Sequence, residues 1–342
     1  MAADAIRIVS VIAPCRNERA AVDAFCDAVA AQQLPAGLQL EVLVADGRSD
    51  DGTREILGRR AAADPRFRLV DNPGLIVSTG LNAALALAQG EVIVRMDLHT
   101  RYAPDYIACC LATLEHTGAD NVGGPWRAEG KGRWGQAIAA AFQSRWAAGG
   151  ARSRDLAYEG EVDTVYLGCW PRASFERFGG FDEALVRNQD DEHNLRLRLA
   201  GARIWQSASI RSTYTPRDAL GSLWRQWLQY GYWKPFVMKK HGRPASWRHL
   251  APGAWVAMLV LTVAALPLGL PWVWPALLAG GFAAGVGTLA LLVAGQAGWA
   301  LWPRVATVIA AQQLAYGIGS IVGAWDLLRH GRGRARFARL TR

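Results

Sequence analysis

At 342 residues, with 51% hydrophobic residues and a formal net charge of +9, the chain exceeds one ordinary domain, so a soluble part joined to a part of different composition is expected. The apolar residues are unevenly spread: Ala254 to Leu328 contains only Arg304 and Asp326 as charged residues, enough length for membrane-spanning helices of about 20 residues each. Basic residues gather on both sides of that block (Lys234, Lys239, Lys240, Arg243 and Arg248 before it; Arg329, Arg332, Arg334, Arg336, Arg339 and Arg342 after it), which suits anionic lipid. No nucleic-acid-binding motif accompanies the charge, so nucleic acid is set aside as a partner.

The first residues, Met1 to Ser10, run directly into a strand pattern with no basic stretch before an apolar core. No signal peptide is expected, and the N-terminal part is expected in the cytoplasm. Cys15, Cys26, Cys109, Cys110 and Cys169 form no CxxC or Cys/His spacing, which excludes a disulfide framework or a zinc site.

The elements follow in order. Ile6 to Ala13 reads as a buried strand ending at Pro14-Cys15-Arg16-Asn17-Glu18, with a helix from Ala20 to Gln32. Leu40 to Ala45 is a second strand, ending at Asp46-Gly47-Arg48-Ser49-Asp50-Asp51-Gly52-Thr53, with a helix from Arg54 to Ala63. Phe67 to Val70 is a third, followed by Asp71-Asn72-Pro73-Gly74 and a helix from Ser78 to Ala88. Val92 to Met96 is a fourth, closing on Asp97 and His99, a carboxylate and an imidazole that together can hold a divalent metal. Such alternation means a mainly parallel sheet whose ligands bind outside the carboxyl ends of its strands. The polar clusters fall at those ends, although Asp-Gly and Asn-Pro-Gly are also ordinary turn chemistry. No GxGxxG follows the first strand, which argues against a dinucleotide cofactor.

Further along, Asn188-Gln189-Asp190-Asp191-Glu192 sets a carboxylate cluster at a helix start, either as a general base or as favourable charges on the helix dipole. Trp126 to Tyr158, rich in Gly, Arg and Trp without sheet periodicity, reads as a mobile substrate flap. Between Leu220 and Trp247 aromatic and basic residues interleave, the pattern of interfacial helices. Three apolar segments follow, near Ala254 to Leu270, Pro275 to Ala294 and Val305 to Leu327, and Gly281/Gly285 and Gly319/Gly323 have the spacing that lets helices approach closely. Three spans would put the Arg-rich tail on the side its charge disfavours. The division expected is a soluble domain over 1–217, an interfacial segment over 218–252, about three transmembrane helices over 253–328 and a basic tail over 329–342.

Taken together, Pro14, Asn17 and Glu18; Asp46, Ser49, Asp51, Gly52 and Thr53; Asn72, Gly74 and Asn82; Asp97 and His99; Gly168; Gly179-Gly180-Phe181-Asp182; and Asp190, Asp191 and Glu192 resemble the inverting glycosyltransferases of family 2, with a GT-A fold, from about Ile6 to Ile204. The Arg-Met-Asp-x-His site, the Asn-Gln-Asp-Asp-Glu run and Tyr230-Gly231-Tyr232-Trp233-Lys234 look like exopolysaccharide enzymes of the succinoglycan ExoA type.

The resemblance implies a nucleotide-sugar site at Pro14, Asn17, Glu18, Asp46, Asp51, Asn72, Asn82 and Asp97. It also implies a Mg²⁺ or Mn²⁺ on Asp97 and His99, where the family's Asp-x-Asp has become Asp-x-His, and acceptor contacts at Gly168, Glu192 and Gln226. Counting back from Gly201 puts the base at Asp190, with Asp191 as the alternative. The Gln-x-x-Arg-Trp of polymerising members is reduced to Gln226-Trp227-Leu228-Gln229-Tyr230, so one sugar per acceptor is expected.

The activity so implied is transfer from a UDP-hexose such as UDP-glucose to a polyprenyl-diphosphate-linked saccharide. The setting expected is the bacterial inner membrane, multi-pass, with the catalytic domain cytoplasmic and polysaccharide assembly proteins as possible partners. A polyprenyl-phosphate sugar synthase and a catalytically silent scaffold are the competing readings.

Overall fold

The computed structural model describes residues 6–334 and 337; Arg336, Arg339 and Arg342 of the expected tail lie outside the described residues. The strands are β1 (Ile8–Cys15), β2 (Gln39–Asp46), β3 (Phe67–Asp71), β4 (Val92–Arg95), β5 (Thr100–Tyr102), β6 (Asn121–Gly124), β7 (Arg127–Ala128), β8 (Gly160–Glu161), β9 (Tyr166–Pro171), β10 (Ile204–Gln206) and β11 (Ser212–Tyr214). The helices are α1 (Val22–Ala30), α2 (Thr53–Ala63), α3 (Val77–Leu87), α4 (Tyr106–Thr117), α5 (Gly132–Gln143), α6 (Arg172–Phe178), α7 (Gln189–Leu199), α8 (Leu220–His241), α9 (Ala251–Ala264), α10 (Val273–Ala297) and α11 (Trp302–His330). Two compact units result. One comprises the chain up to Arg127 with Arg152–Ala184 and Gln189–Tyr214; the other comprises Ala128–Ala151, Leu185–Asn188 and the chain from Thr215 onward.

In the first unit a sheet runs in the order β3-β2-β1-β4-β9-β6-β10-β8. The strands predicted from sequence, β1 to β4, are mutually parallel; β9 and β8 run antiparallel to their neighbours. The period of two along each strand sorts side chains to opposite faces. Val9, Val11 and Ala13 join Val42, Val44, Val92 and Val94 under α1 and α4. Ile12 joins Leu43, Ala45 and Ile93 in the other core, with Leu81, Phe175, Phe178 and Leu197 from α3, α6 and α7. Burial on both faces is why these strands read as continuous apolar runs.

The second unit is helical. The stretch read as a flap from Trp126 to Tyr158 contains α5, a 12-residue helix burying Gly135, Ala137, Ile138, Ala139, Ala141 and Phe142. Its alanine-rich face has helical period, which the surrounding Gly, Arg and Trp mask in the sequence. Helices α8 and α11 meet backbone to backbone: a Cβ on Gly231 would lie 2.1 Å from the Tyr316 carbonyl, one on Gly319 2.2 Å from that of Leu228, and one on Gly323 2.1 Å from that of Tyr232. The expected Gly319/Gly323 pair therefore serves a helix crossing, whereas Gly281 and Gly285 face open space. Of the three apolar segments, Val273–Ala297 and Trp299–His330 are long and apolar enough to cross a membrane, whereas α9 has 14 residues and spans only about 21 Å at 1.5 Å per residue.

Gly323→Ala in detergent-purified protein is expected to lower the unfolding temperature, by the equivalent of about 1–3 kcal/mol of overpacking, while Gly281→Ala leaves it unchanged or raises it. Thermal unfolding followed by tryptophan fluorescence reads both.

Candidate active site

The first unit gathers its polar clusters at the carboxyl edge of β1, β2, β3 and β4. The loops there satisfy one another. Asn17 takes the N–H of Asp50 on its side-chain oxygen at 3.0 Å and donates its amide to the Asp50 carboxylate at 2.8 Å. The Asn17 N–H donates to Ser49 Oγ, and the Glu18 N–H to Thr53 Oγ1, each at 2.8 Å. The carboxylate of Asp51 accepts from the Thr53 hydroxyl and from the N–H groups of Arg19 and Thr53. Desolvation opposes its charge, but these bonds prevail and hold the carboxyl below its usual range. Asp46, fully buried, accepts from Ser49 and is paired at 3.1 Å with Arg54, which also reaches Asp71 at the end of β3.

Asn17, Arg48 and Leu75 each take a left-handed backbone, with φ of 54°, 54° and 64°. Each follows one of the three neighbouring strands. Non-glycine residues held in this region mark sites whose surroundings over-determine them.

Other residues assigned to ligands make their contacts within the protein. Asn72 is buried, accepting from the Thr79 hydroxyl at 2.7 Å and donating to the Ile76 carbonyl at 2.9 Å, so it shapes the start of α3. Asn82 closes on both backbone groups of Phe181 and thereby fixes the Gly179-Gly180-Phe181-Asp182 turn; a Cβ on Gly180 would lie 2.6 Å from its oxygen. Gly168, expected at the acceptor, has φ +115° inside β9, and a Cβ there would strike the Trp170 ring at 2.4 Å. Glu192, also expected at the acceptor, is fully buried and ion-paired with Arg196, which donates to the carbonyls of Phe178 and Gly180. Its job is to brace α7 against that turn. Gln226 lies on α8 in the second unit, buried, with its amide donating to the Tyr230 hydroxyl at 3.1 Å. Pro14 keeps its place near the end of β1, opposite Ala45.

Asp97 and Asp190 lie at the end of β4 and the start of α7. Asp97, nearly buried, accepts both arms of the Arg95 guanidinium, Nε and Nη2, at 2.9 Å each. Burial disfavours the charge on Arg95, but the carboxylate of Asp97 more than reverses that, with Asp190 adding to the field, and the guanidinium is held firmly protonated. Burial, then the charge of Asp97, pushes the hydroxyls of Tyr102 and Tyr166 well above their usual range. Both remain neutral; Tyr102 donates to the Asp97 carbonyl at 3.0 Å.

His99 places Nδ1 3.5 Å from Glu18 Oε1 and its ring edge on Tyr214. Tyr214 leads to Trp126, stacked on Tyr166 at 5.2 Å, with the Arg154 guanidinium 3.7 Å over the Trp126 ring. At the start of α7, Asp190 is exposed and accepts the N–H of Asp191 at 2.9 Å. In the sequence Arg95 counted only as part of the Arg-Met-Asp-x-His signature, and Arg54 and the aromatic wall did not stand out. A lone arginine in the apolar run Val92-Ile93-Val94-Arg95 was the available signal.

Among the described residues no group of three or more His, Cys, Asp or Glu side chains is arranged to hold a metal. Asp97 and His99, with Glu18 Oε1 3.5 Å from His99 Nδ1, are the residues that would hold an ion taking one or two protein ligands and completing its shell with substrate phosphates and water.

The Glycosyl transferase family 2 model matches residues 10–176. The succinoglycan biosynthesis protein ExoA of Rhizobium meliloti (strain 1021) is 32% identical over 275 residues, 78% of this chain and 82% of that protein. The chain belongs to glycosyltransferase family 2. The chondroitin synthase of Pasteurella multocida (strain Pm70) is 27% identical to this family 2 member over 106 residues, 31% of the chain but 11% of that enzyme. Among solved structures, the mannosyltransferase PcManGT of Pyrobaculum calidifontis, in complex with GDP-Man and Mn²⁺, aligns at TM-score 0.57 and 20% identity, covering 94% of this chain and 88% of that one, a likeness of fold.

Asp97→Asn is expected to leave buried Arg95 without its counter-charge and to cost about 3–5 kcal/mol of stability, whereas Arg95→Met combined with Asp97→Asn recovers most of it. Thermal unfolding of the two variants against wild type checks the difference.

Proposed function

We propose that this family 2 glycosyltransferase moves one hexose from a nucleotide-sugar, a UDP-hexose such as UDP-glucose, to a polyprenyl-diphosphate-linked saccharide at the cytoplasmic face of a bacterial inner membrane, in exopolysaccharide or envelope-glycan synthesis. The observation that carries the reading is the Arg95–Asp97 pair at the end of β4, with the charge of Asp190 within electrostatic reach and Glu18 beside His99. The relationship to a succinoglycan biosynthesis protein supports the polysaccharide setting.

The reaction would be one displacement with inversion. An acceptor hydroxyl attacks the anomeric carbon, Asp190 takes its proton, and the bond to the diphosphate breaks with its electrons leaving on the nucleoside diphosphate. A divalent ion bound through Asp97 and His99 would act as a Lewis acid on that leaving group. Asp190 suits the base because it is exposed on the first turn of α7, while its neighbour Glu192 is spent on Arg196. Asp191, on the same turn, is the second carboxylate to test. The Trp126–Tyr166–Tyr214 wall beside His99 would exclude water from the developing charge.

Detergent-purified protein is expected to release nucleoside diphosphate from UDP-glucose only with Mn²⁺ or Mg²⁺, faster when a lipid-linked saccharide is supplied. Asp190→Asn should lower kcat about a hundredfold or more while retaining binding of the metal–nucleotide complex. Wild-type turnover in Asp190→Asn would move the base to Asp191; no release from any nucleotide-sugar would refute the transferase reading.

A further inference from the structure

The second unit carries an apolar hairpin whose shape decides how it meets lipid. Between Arg248 and Arg304 there is no Asp, Glu, Lys or Arg. Within that run α9 and α10 fold back on each other: the Trp255 ring stacks on Phe282 at 4.2 Å and its indole N–H donates to the Leu278 carbonyl at 3.3 Å. The bend between them is apolar and open, with Leu268 87% and Trp272 74% exposed. The hairpin is anchored at its other end. Gly317 of α11 packs against the Pro252 carbonyl at the start of α9, and Val286, Ala290, Val293 and Ala294 bury one face of the later half of α10. Before Val286, only Pro275 of α10 is buried.

Length then sets the depth. A 14-residue helix reaches about 21 Å, past the middle of a hydrocarbon core of about 30 Å but short of its far side. Helix α11, though long enough to cross, is not free to do so. Its midpoint, Tyr316, lies against Gly231 of α8, and six residues earlier α8 exposes Arg225, about 9 Å along the axis. A crossing by α11 would carry that guanidinium into the hydrocarbon. At its start Arg304 sits 6.0 Å over Trp134 of α5, beside exposed Arg133. At its end Asp326 accepts the Tyr232 hydroxyl at 3.0 Å and pairs with Arg334 at 2.8 Å, which ties the segment after α11 to α8. Both ends of α11 are thus joined to charged, water-facing elements of the same unit.

We propose that α9–α10 is a re-entrant hairpin that inserts its Leu266–Trp272 bend into one leaflet, while α8 and α11 stay at headgroup level and no helix crosses the bilayer. Lys239, Lys240, Arg243, Arg248, Arg329 and Arg332 supply the charge that anionic headgroups complement. Exposed Ile318, Ile321, Trp325 and Leu328 form one stripe along α11, and Arg329 lies 4.8 Å over the Trp325 ring, the pairing of apolar, aromatic and basic groups suited to the interface. A single-sided anchor also removes the conflict over the basic tail, since the chain leaves the membrane on the side it entered. The inference rests on the membrane association proposed above and is independent of the chemistry.

The test uses full-length protein in vesicles of phosphatidylethanolamine and phosphatidylglycerol. Flotation with the vesicles is expected, weakened when phosphatidylglycerol is omitted; absence of flotation would overturn the membrane reading itself. Single variants Lys240→Cys, Leu268→Cys and Trp299→Cys, with unfolding temperatures matching wild type, are then treated with an impermeant maleimide from each side, using the unaltered protein as background. Lys240→Cys and Trp299→Cys should label from the same side, and a fluorophore attached at Leu268→Cys in detergent should be quenched by lipids carrying a nitroxide deep in the acyl chain. Labelling of Trp299→Cys from the side opposite Lys240→Cys, or water access at Leu268→Cys from either side, sinks the proposal and restores a spanning anchor.

Discussion

The first unit is organised around a buried ion pair in an apolar strand. β4 lies between β1 and β9 at the centre of the sheet, and its last residue, Arg95, reaches both oxygens of Asp97. Taking two such charges out of water is costly, and a well-packed apolar pair would serve stability as well or better. Its presence is better understood through what it fixes. With both oxygens held, Asp97 has one orientation, and the guanidinium also projects its field toward Asp190. Tyr102 and Tyr166, neutral and half-buried, stand beside the pair, and Tyr102 donates to the Asp97 carbonyl.

Around that pair the loops are self-sufficient. Asn17 bonds Asp50, the Glu18 N–H bonds Thr53, Asp46 bonds Ser49 and Arg54, and Asn72 bonds Thr79, so these loops are tied to one another by their own polar groups. These bonds hold three adjacent loops in left-handed turns that non-glycine residues seldom adopt. Loops cross-linked in this way are held in one arrangement before any ligand arrives, which lowers the ordering cost of binding there.

The second unit depends on a different constraint, the absence of side chains. Gly231, Gly319 and Gly323 let α8 and α11 touch at the backbone, closely enough that any Cβ would collide with a carbonyl. The contact commits α11 to a partner that carries exposed Arg225, Lys239 and Lys240, and so decides where a helix of spanning length can lie. Hydropathy along α11 alone could not register this, because it averages over residues without regard to the face they occupy.

Much of the catalytic fold was legible in the chain. Strands buried on both faces are continuous apolar runs, parallel strands need intervening helices, and the polar clusters therefore had to fall at one edge of the sheet; β1 to β4 and α1 to α3 follow from that alone. The apolar block, its basic flanks and the acidic start of α7 were equally plain. What the sequence could not determine is where each polar side chain spends its hydrogen bonds. Asn82 meets Phe181 across 99 residues, Gly168 is filled by the Trp170 ring, and Glu192 turns inward to Arg196, contacts between segments that become neighbours only after folding. The same holds for α5, a helix disguised by its flanking residues, and for α9, whose apolar text continues past the point where the helix ends at Ala264. Periodicity and composition are local properties and so are readable along the chain, whereas the partner of a hydrogen bond or the depth of a hairpin is set by tertiary packing.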